Sequence, residues 1–138
     1  MSANAAYREV VRNWISGVKD YNLDNLLLLS FGGPLDVLGE GTSGAEVSLE
    51  CLGSTNELWI TRIEVLQLLI DNGFDVLHTD AAAIWIRNPM DWIRAHLNNA
   101  DALFSQGTVW PYRAVLKYGF FCAGFFVFRS NQITKKLF

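Results

Sequence analysis

The sequence predicts an α/β fold: a three-layer α/β/α sandwich in which helices cover both faces of a mainly parallel central sheet. Segments with apolar residues at helical spacing alternate with short apolar runs that are typical of buried strands. The alternation has the spacing of strand–helix–strand crossover units, which place parallel strands in one sheet. The 138 residues show no internal repeat, and they fit a single domain over 1–138.

The first part of the chain predicts a helix, a buried strand and a loop region. Five apolar residues fall on one helical face: Val10, Val11, Trp14, Ile15 and Val18. Residues 25–31, NLLLLSF, predict a strand buried on both faces, and GGP at 32–34 ends it. Residues 35–56 are rich in Gly, Ser and Thr, and they predict a loop, a short helical piece and an edge strand near 46–49.

The clearest helix is predicted over 57–72, and Gly73 supplies its C-terminal stop. Its apolar residues step by four, three and four along one face: Trp59, Ile63, Leu66 and Ile70. A strand over 74–79 follows and ends at Asp80. Four more elements are predicted in order: a short helix after Pro89, a strand over 101–106, an aromatic strand over 119–130 that Gly124 breaks, and the first turns of a helix over 131–138.

Composition argues against disorder and against nucleic acid as a partner. Hydrophobic residues make up 51% of the chain, which is ample material for a core. The net charge is −3 and acids and bases are mixed along the chain, so no basic face is expected. The longest apolar run, 118–128, is shorter than the about 20 residues that span a bilayer, so no membrane span is expected in this chain. Charged residues also exclude a signal peptide at the N-terminus.

Asp80 is the first candidate functional residue, because it stands where a buried strand ends. Ligands of open α/β sheets bind at the carboxyl ends of the strands, and a carboxylate there needs a cation, a donor or water. Asp80 is either a cap or turn acid, or a ligand of a divalent metal or a ribose. His78 lies two positions earlier, on the same side of the predicted strand, so a His78–Asp80 metal pair is a further alternative. The sequence offers no clear third ligand for it.

At this point the sequence resembles a known family. The stretch GFDVLHTDAAAIWIRNP, at 73–89, is similar to the signature of the nucleotide-diphospho-sugar transferase domain, a GT-A-fold family that includes plant cell-wall xylosyl- and arabinosyltransferases. Arg62 stands where the family carries a basic residue on the preceding helix. NWISGVKDYNLDNLLLLSF at 13–31 and AGFFVFRS at 123–130 resemble two further family segments. The resemblance covers nearly the whole chain, and it implies a Rossmann-like domain that continues beyond residue 138.

The resemblance implies a glycosyltransferase. A sugar would pass from a nucleotide diphosphate donor, expected to be a UDP-sugar, to a hydroxyl of a glycan or glycoprotein. Mn²⁺ or Mg²⁺ would bridge the two phosphates, with Asp80 as the metal ligand. The donor-binding residues implied in this way are seven: Arg62, Thr79, Asp80, Ala82, Cys122, Ala123 and Gly124. Relatives often work in the Golgi lumen behind an N-terminal anchor; without one, a cytoplasmic location would be expected.

The sequence departs from the family pattern at the site itself. Ala82 stands where the family has the second acid of its Asp-x-Asp motif, and an alanine binds no metal. Cys122 replaces a usual Asn, Gly32 a usual Asp, and Gln106 lies near the position of another common acid. These departures point toward a weakened, altered or absent activity, so an inactive or fragmentary transferase-like binding module is the alternative. A generic Rossmann-like nucleotide-binding protein is a third, but GGPLDVLGEGTSG at 32–44 lacks a phosphate-binding fingerprint.

Other side chains receive simpler interpretations. Cys51 and Cys122 are expected to be buried free thiols. Trp59 and Trp85 are expected in the core, and His96 on an exposed helix surface. One further pair, in the segment TVWPYR, is a candidate for stacking on a sugar or base: Trp110 and Tyr112.

Overall fold

A computed structural model describes residues 1–39, 42–50, 54–107 and 121–138 of the chain. Contacts divide these residues into two compact units. The first consists of Met1–Val65 and Asp80–Pro89, and the second of Leu66–Thr79 and Met90–Phe138. Each unit has its own three-stranded sheet. The single domain over 1–138 stays a prediction.

The α/β class is confirmed, and most elements lie within a few residues of their predicted places. The described helices are three: α1 (Arg8–Val18), α2 (Thr55–Asp71) and α3 (Met90–Leu97). The described strands are six: β1 (Ser2–Asn4), β2 (Leu26–Phe31), β3 (Gly44–Leu49), β4 (Val76–Thr79), β5 (Ala102–Gln106) and β6 (Phe121–Phe128). None of the helices that the structure describes is long and apolar enough to cross a bilayer.

The sheet of the first unit is parallel, as predicted, with β2 in the centre of the order β1-β2-β3. Leu29 pairs with Ser2 on one side and with Val47 on the other. The last four residues of β2 are buried, because a central parallel strand packs on both of its faces. Gly32 and Gly33 end the strand with φ angles of 78° and 124°, a region that glycine occupies without steric cost.

The core of the first unit gathers on β2 and α1. Its buried apolar members are Ala3, Val11, Leu28, Leu35, Val37 and Ala81. The segment after β2 is held in place by Glu46 on β3, whose carboxylate accepts hydrogen bonds from the backbone N–H groups of Leu35 and Asp36, at 2.5 and 3.1 Å. A carboxylate that accepts two backbone donors fixes this turn, which sequence patterning alone left as a loop.

The sheet of the second unit is antiparallel. The prediction of a mainly parallel sheet is therefore wrong for the three strands of this unit. The order is β4-β6-β5, and β6 runs against both neighbours. β4 and β5 therefore point the same way, which is what the helix between them led us to expect. The pattern of helices and strands could not show that β6 inserts between them. The three-layer arrangement stays a prediction.

The helix α2 buries the C-terminal half of the predicted stripe but not its N-terminal half. Arg62, Leu66 and Ile70 are buried and recur every four residues, whereas Trp59 and Ile63 are 42% and 48% exposed. The predicted stripe followed the apolar residues alone, and it therefore could not include a buried arginine. In the second unit, Leu66 and Ile70 join Phe126 and Phe128 in one core cluster.

Two features at the C-terminal end differ from the sequence prediction. β6 continues through Gly124, but its pairing with β5 shifts there: Phe104 pairs with Phe126, and the next residue, Ser105, pairs with Cys122. Residues 131–138 form only a short 3₁₀ turn, Thr134–Lys136, where a longer helix was predicted to start. The hydroxyl of Thr134, which is fully buried, donates to the carbonyl of Arg129 at 2.5 Å and stabilises that turn.

Candidate functional site

The structure brings together two of the predicted site residues, Arg62 and Asp80. Nη1 of Arg62 lies 3.6 Å from Oδ1 of Asp80, an ionic contact longer than a hydrogen bond. Arg62 is 6% exposed, whereas the side chain of Asp80 is 46% exposed. The guanidinium carbon also lies 3.8 Å from the ring centroid of Trp59, which places the cation over an aromatic face. The buried arginine thus holds a carboxylate that solvent can reach.

The electrostatics of this pair follow from burial. Burial lowers the pKa of Arg62 from its ordinary value, and the neighbouring Asp80 offsets part of that effect; a guanidinium still remains protonated. The α-amino group of Met1, which donates to the carbonyl of Leu27 at 2.9 Å, has a pKa lowered to about 6, mainly by burial. Arg62 is a cation that faces Asp80 directly.

Asp80 begins a tight turn. The backbone N–H of Ala83 donates to the carbonyl of Asp80 at 3.0 Å. Within the turn Ala81 is buried and Ala82 is exposed. The turn acid that was considered as an alternative therefore agrees with the local backbone, but the exposed carboxylate and its buried partner go beyond what a turn requires. Ala82 presents a methyl group to solvent two residues after the acid.

The described residues fit a divalent cation poorly. Magnesium is usually held by one or two carboxylates together with substrate phosphates and water. Asp80 can supply one such ligand, but Ala82 supplies none, and Arg62 already offsets the charge of Asp80. In the part of the chain that the structure describes, no three His, Cys, Asp or Glu side chains are placed to hold a metal ion.

His78 is placed as a packed aromatic ring. It is buried, and its ring stacks on that of Phe126 with a centroid distance of 4.7 Å. β4 ends at Thr79, so the strand alternation that put His78 and Asp80 on one side does not reach Asp80. The geometry therefore gives no support to the His78–Asp80 metal pair.

The remaining donor-site residues of the prediction lie in the second unit. Thr79 is buried at the end of β4 and pairs with Phe125, the residue after Gly124. The β6 segment 122–124 is partly exposed, and the N–H of Gly124 donates to Sγ of Cys122 at 3.3 Å. Cys122 is a free thiol, as predicted, but it is half-buried because the bulged start of β6 is only partly covered.

Other sequence predictions have mixed outcomes. Trp59 was expected in the core, but it is 42% exposed, and its ring packs on the guanidinium of Arg62. His96 is exposed on α3 and stacks on Trp92, as expected for a surface residue. Three residues that were considered lie outside the described residues: Cys51, Trp110 and Tyr112.

Sequence reasoning missed a pocket of about 360 Å³ in the first unit. It lies between α1 and the residues that follow Asp80, and Trp14 and Trp85 line it together with Ala82. The two indoles meet edge to face at 5.2 Å, and Tyr21 stacks on Trp85 at 6.4 Å. Trp85 was expected in the core, but it is only partly buried by these contacts. The helical face of α1 was the available signal, but residues about 70 positions later complete the pocket.

The α/β fold, with an acid after β4 and a buried arginine beside it, agrees with the class that the sequence suggested, a domain that binds nucleotide sugars. A sequence model of the nucleotide-diphospho-sugar transferase family matches residues 53–138. The match covers more than half of the chain, and the chain belongs to this family. Membership supports a glycosyltransferase-like function and implies a nucleotide sugar as donor. No curated protein and no solved structure matches the chain.

Proposed function

We propose that this chain binds a nucleoside diphosphate sugar, expected to be a UDP-sugar, at the residues around Asp80 and transfers the sugar to a hydroxyl of a glycan or glycoprotein. The observation that carries the proposal is the contact between Arg62 and Asp80, inside the region that matches the family. A GT-A arrangement belongs to the same proposal, with Thr79 and residues 122–124 as further donor-binding positions.

The roles of Arg62 and Asp80 follow from their exposure. Asp80 is open to solvent, so its carboxylate can accept hydrogen bonds from the hydroxyls of a ribose or of the donor sugar. Arg62 is buried, so it acts as a positioning residue that holds this carboxylate rather than as a group that grips the diphosphate. Asp80 is also the one carboxylate among the proposed donor-binding residues that can ligate Mn²⁺ or Mg²⁺.

A binding module without transferase activity is the second candidate. Ala82 favours it, because an exposed methyl group stands where the second acid of the family motif would add a ligand and a negative charge. Without this ligand and this charge, a metal cation would bind more weakly. Sugar transfer from a nucleotide diphosphate needs such a cation to neutralise the charge of the leaving diphosphate. Nucleotide binding without turnover would be the result.

Calorimetric titration with UDP, in the presence of Mn²⁺ or of EDTA, tests the proposal. We expect the native chain to bind UDP, and Asp80→Asn to weaken binding about tenfold, since one charge-assisted hydrogen bond contributes roughly 1.5 kcal/mol. Ala82→Asp is expected to strengthen binding only when Mn²⁺ is present.

The matched control is Asp91→Asn, the same chemical change at a fully exposed acid of α3, and it should leave UDP binding unchanged. If the native chain turns over a UDP-sugar, the second candidate, a binding module without transferase activity, is excluded. If neither the native chain nor Ala82→Asp binds UDP in either buffer, the donor site around Asp80 is wrong.

A further inference from the structure

The pocket beside Asp80 has the size of a small-molecule site. Its volume of about 360 Å³ falls in the range of roughly 300–1,000 Å³ that is usual for ligand pockets. One wall is α1, which contributes Asn13, Trp14 and Gly17, and the other is the segment with Ala82 and Trp85. All of these residues belong to the first unit, so one compact part of the chain forms the pocket.

The walls of the pocket are uncharged and aromatic. None of the described residues that line it has an ionisable side chain. The indole N–H of Trp14 already donates to the carbonyl of Ala83 at 3.1 Å, so Trp14 offers the pocket an apolar surface rather than a donor. The ring of Trp85 lies between Trp14 and Tyr21, and these contacts fix its orientation.

This chemistry selects among possible occupants. A phosphate or carboxylate would lose its hydration and find no cation in the lining, which is costly. A sugar ring would leave most of its hydroxyls without partners, because the lining is mostly apolar and Asn13 is its one amide side chain. A flat uncharged ring needs neither a cation nor several hydrogen-bond partners. It gains from burial, and it can pack against indoles edge to face or offset.

We propose that this pocket binds an uncharged aromatic ring of about the size of a phenol. Ile84, which lines the pocket and is otherwise 83% exposed, is covered by the bound ring. The amide of Asn13, on the exposed side of α1, is placed to pair with a single hydroxyl substituent. The pocket shares Ala82 with the proposed donor residues, but the proposal rests on the lining of the pocket and does not depend on the proposed function.

The test uses 4-fluorophenol, which is uncharged at neutral pH, and 4-fluorobenzoate, which carries a charge, in titrations followed by ¹⁹F NMR. We expect 4-fluorophenol to bind with a millimolar Kd and 4-fluorobenzoate to bind at least fivefold more weakly. Equal affinity for the two probes, or no binding of 4-fluorophenol, would overturn the proposal.

Gly17 allows the pocket to be filled without disturbing its walls. A Cβ atom added at Gly17 meets no heavy atom within 4 Å, so Gly17→Leu can place its side chain in the open space. We expect this variant to keep its circular dichroism spectrum and to weaken 4-fluorophenol binding at least tenfold. Ser16→Leu, which introduces the same side chain at an exposed neighbour outside the lining, is expected to bind like the native chain.

Equal weakening by Gly17→Leu and Ser16→Leu would show that the probe responds to the helix in general, and the proposal would fail. Sedimentation velocity on the native chain gives an independent check. If the chain self-associates and Gly17→Leu abolishes that association, a second copy occupies the pocket and the small-molecule site is wrong.

Discussion

Replacing Phe126 with alanine is expected to lower the free energy of unfolding by about 3–5 kcal/mol, the usual cost of truncating a buried phenylalanine. Phe126 is 5% exposed and lies in β6, the central strand of the antiparallel sheet. Its ring stacks on His78 at 4.7 Å and meets the ring of Phe128 at 5.3 Å. The lost ring would leave a cavity that β6, hydrogen-bonded on both sides, cannot close.

Urea denaturation followed by circular dichroism measures this effect. The matched control is Phe121→Ala in the same strand, because Phe121 is 73% exposed and its truncation should cost less than about 1 kcal/mol. If Phe126→Ala unfolds the chain outright, Phe126→Leu provides a milder change, with an expected loss smaller than that of Phe126→Ala because it leaves a smaller cavity. Similar losses for Phe121→Ala and Phe126→Ala would contradict the packing described for this sheet.

Local sequence patterns predicted elements well where one element carries its own signal. β2 opens with a run of four leucines, and two glycines follow its last residue. These two features were sufficient to predict a buried strand and its end. The three residues of β1, Ser2–Asn4, are too few to show a period, and no strand was predicted there. The direction of β6 was also beyond a local pattern, because pairing depends on residues far apart in the chain.

Local sequence patterns were equally unable to predict the contacts within the candidate site. Arg62 and Asp80 are far apart in sequence, and only the family resemblance suggested that they act together; the structure then placed them 3.6 Å apart. Apolar periodicity did not place Arg62 on a buried face, because a charged residue is rarely buried unless it is paired. The pairing with Asp80 could not be seen in the local pattern. The helical face of α1 could not by itself indicate the pocket at Trp14 and Trp85, because each tryptophan was equally well explained as core.

Breaking the Arg62–Asp80 pair is the second large effect that we expect. Asp80→Ala leaves a buried guanidinium without its carboxylate, a change that costs about 3–5 kcal/mol when both partners are buried. Because the side chain of Asp80 is 46% exposed, water replaces part of the lost interaction, and we expect a loss of about 2 kcal/mol. Arg62→Met removes the cation together with its need for a partner, so its loss should be smaller.

A double-mutant cycle isolates the interaction. In the background of Arg62→Met, Asp80→Ala should cost less than about 0.5 kcal/mol in urea denaturation, which leaves a coupling energy of roughly 1.5 kcal/mol. The control cycle is Glu9→Ala with Arg12→Met on α1, where the ionic contact is shorter, at 2.6 Å, but the side chains are 72% and 51% exposed.

The control pair should couple by less than about 0.5 kcal/mol, since solvent screens exposed charges. If it couples as strongly as Arg62 and Asp80, then burial does not set the strength of these contacts. The interpretation of Arg62 as the buried group that holds Asp80 for its ligand would then be wrong.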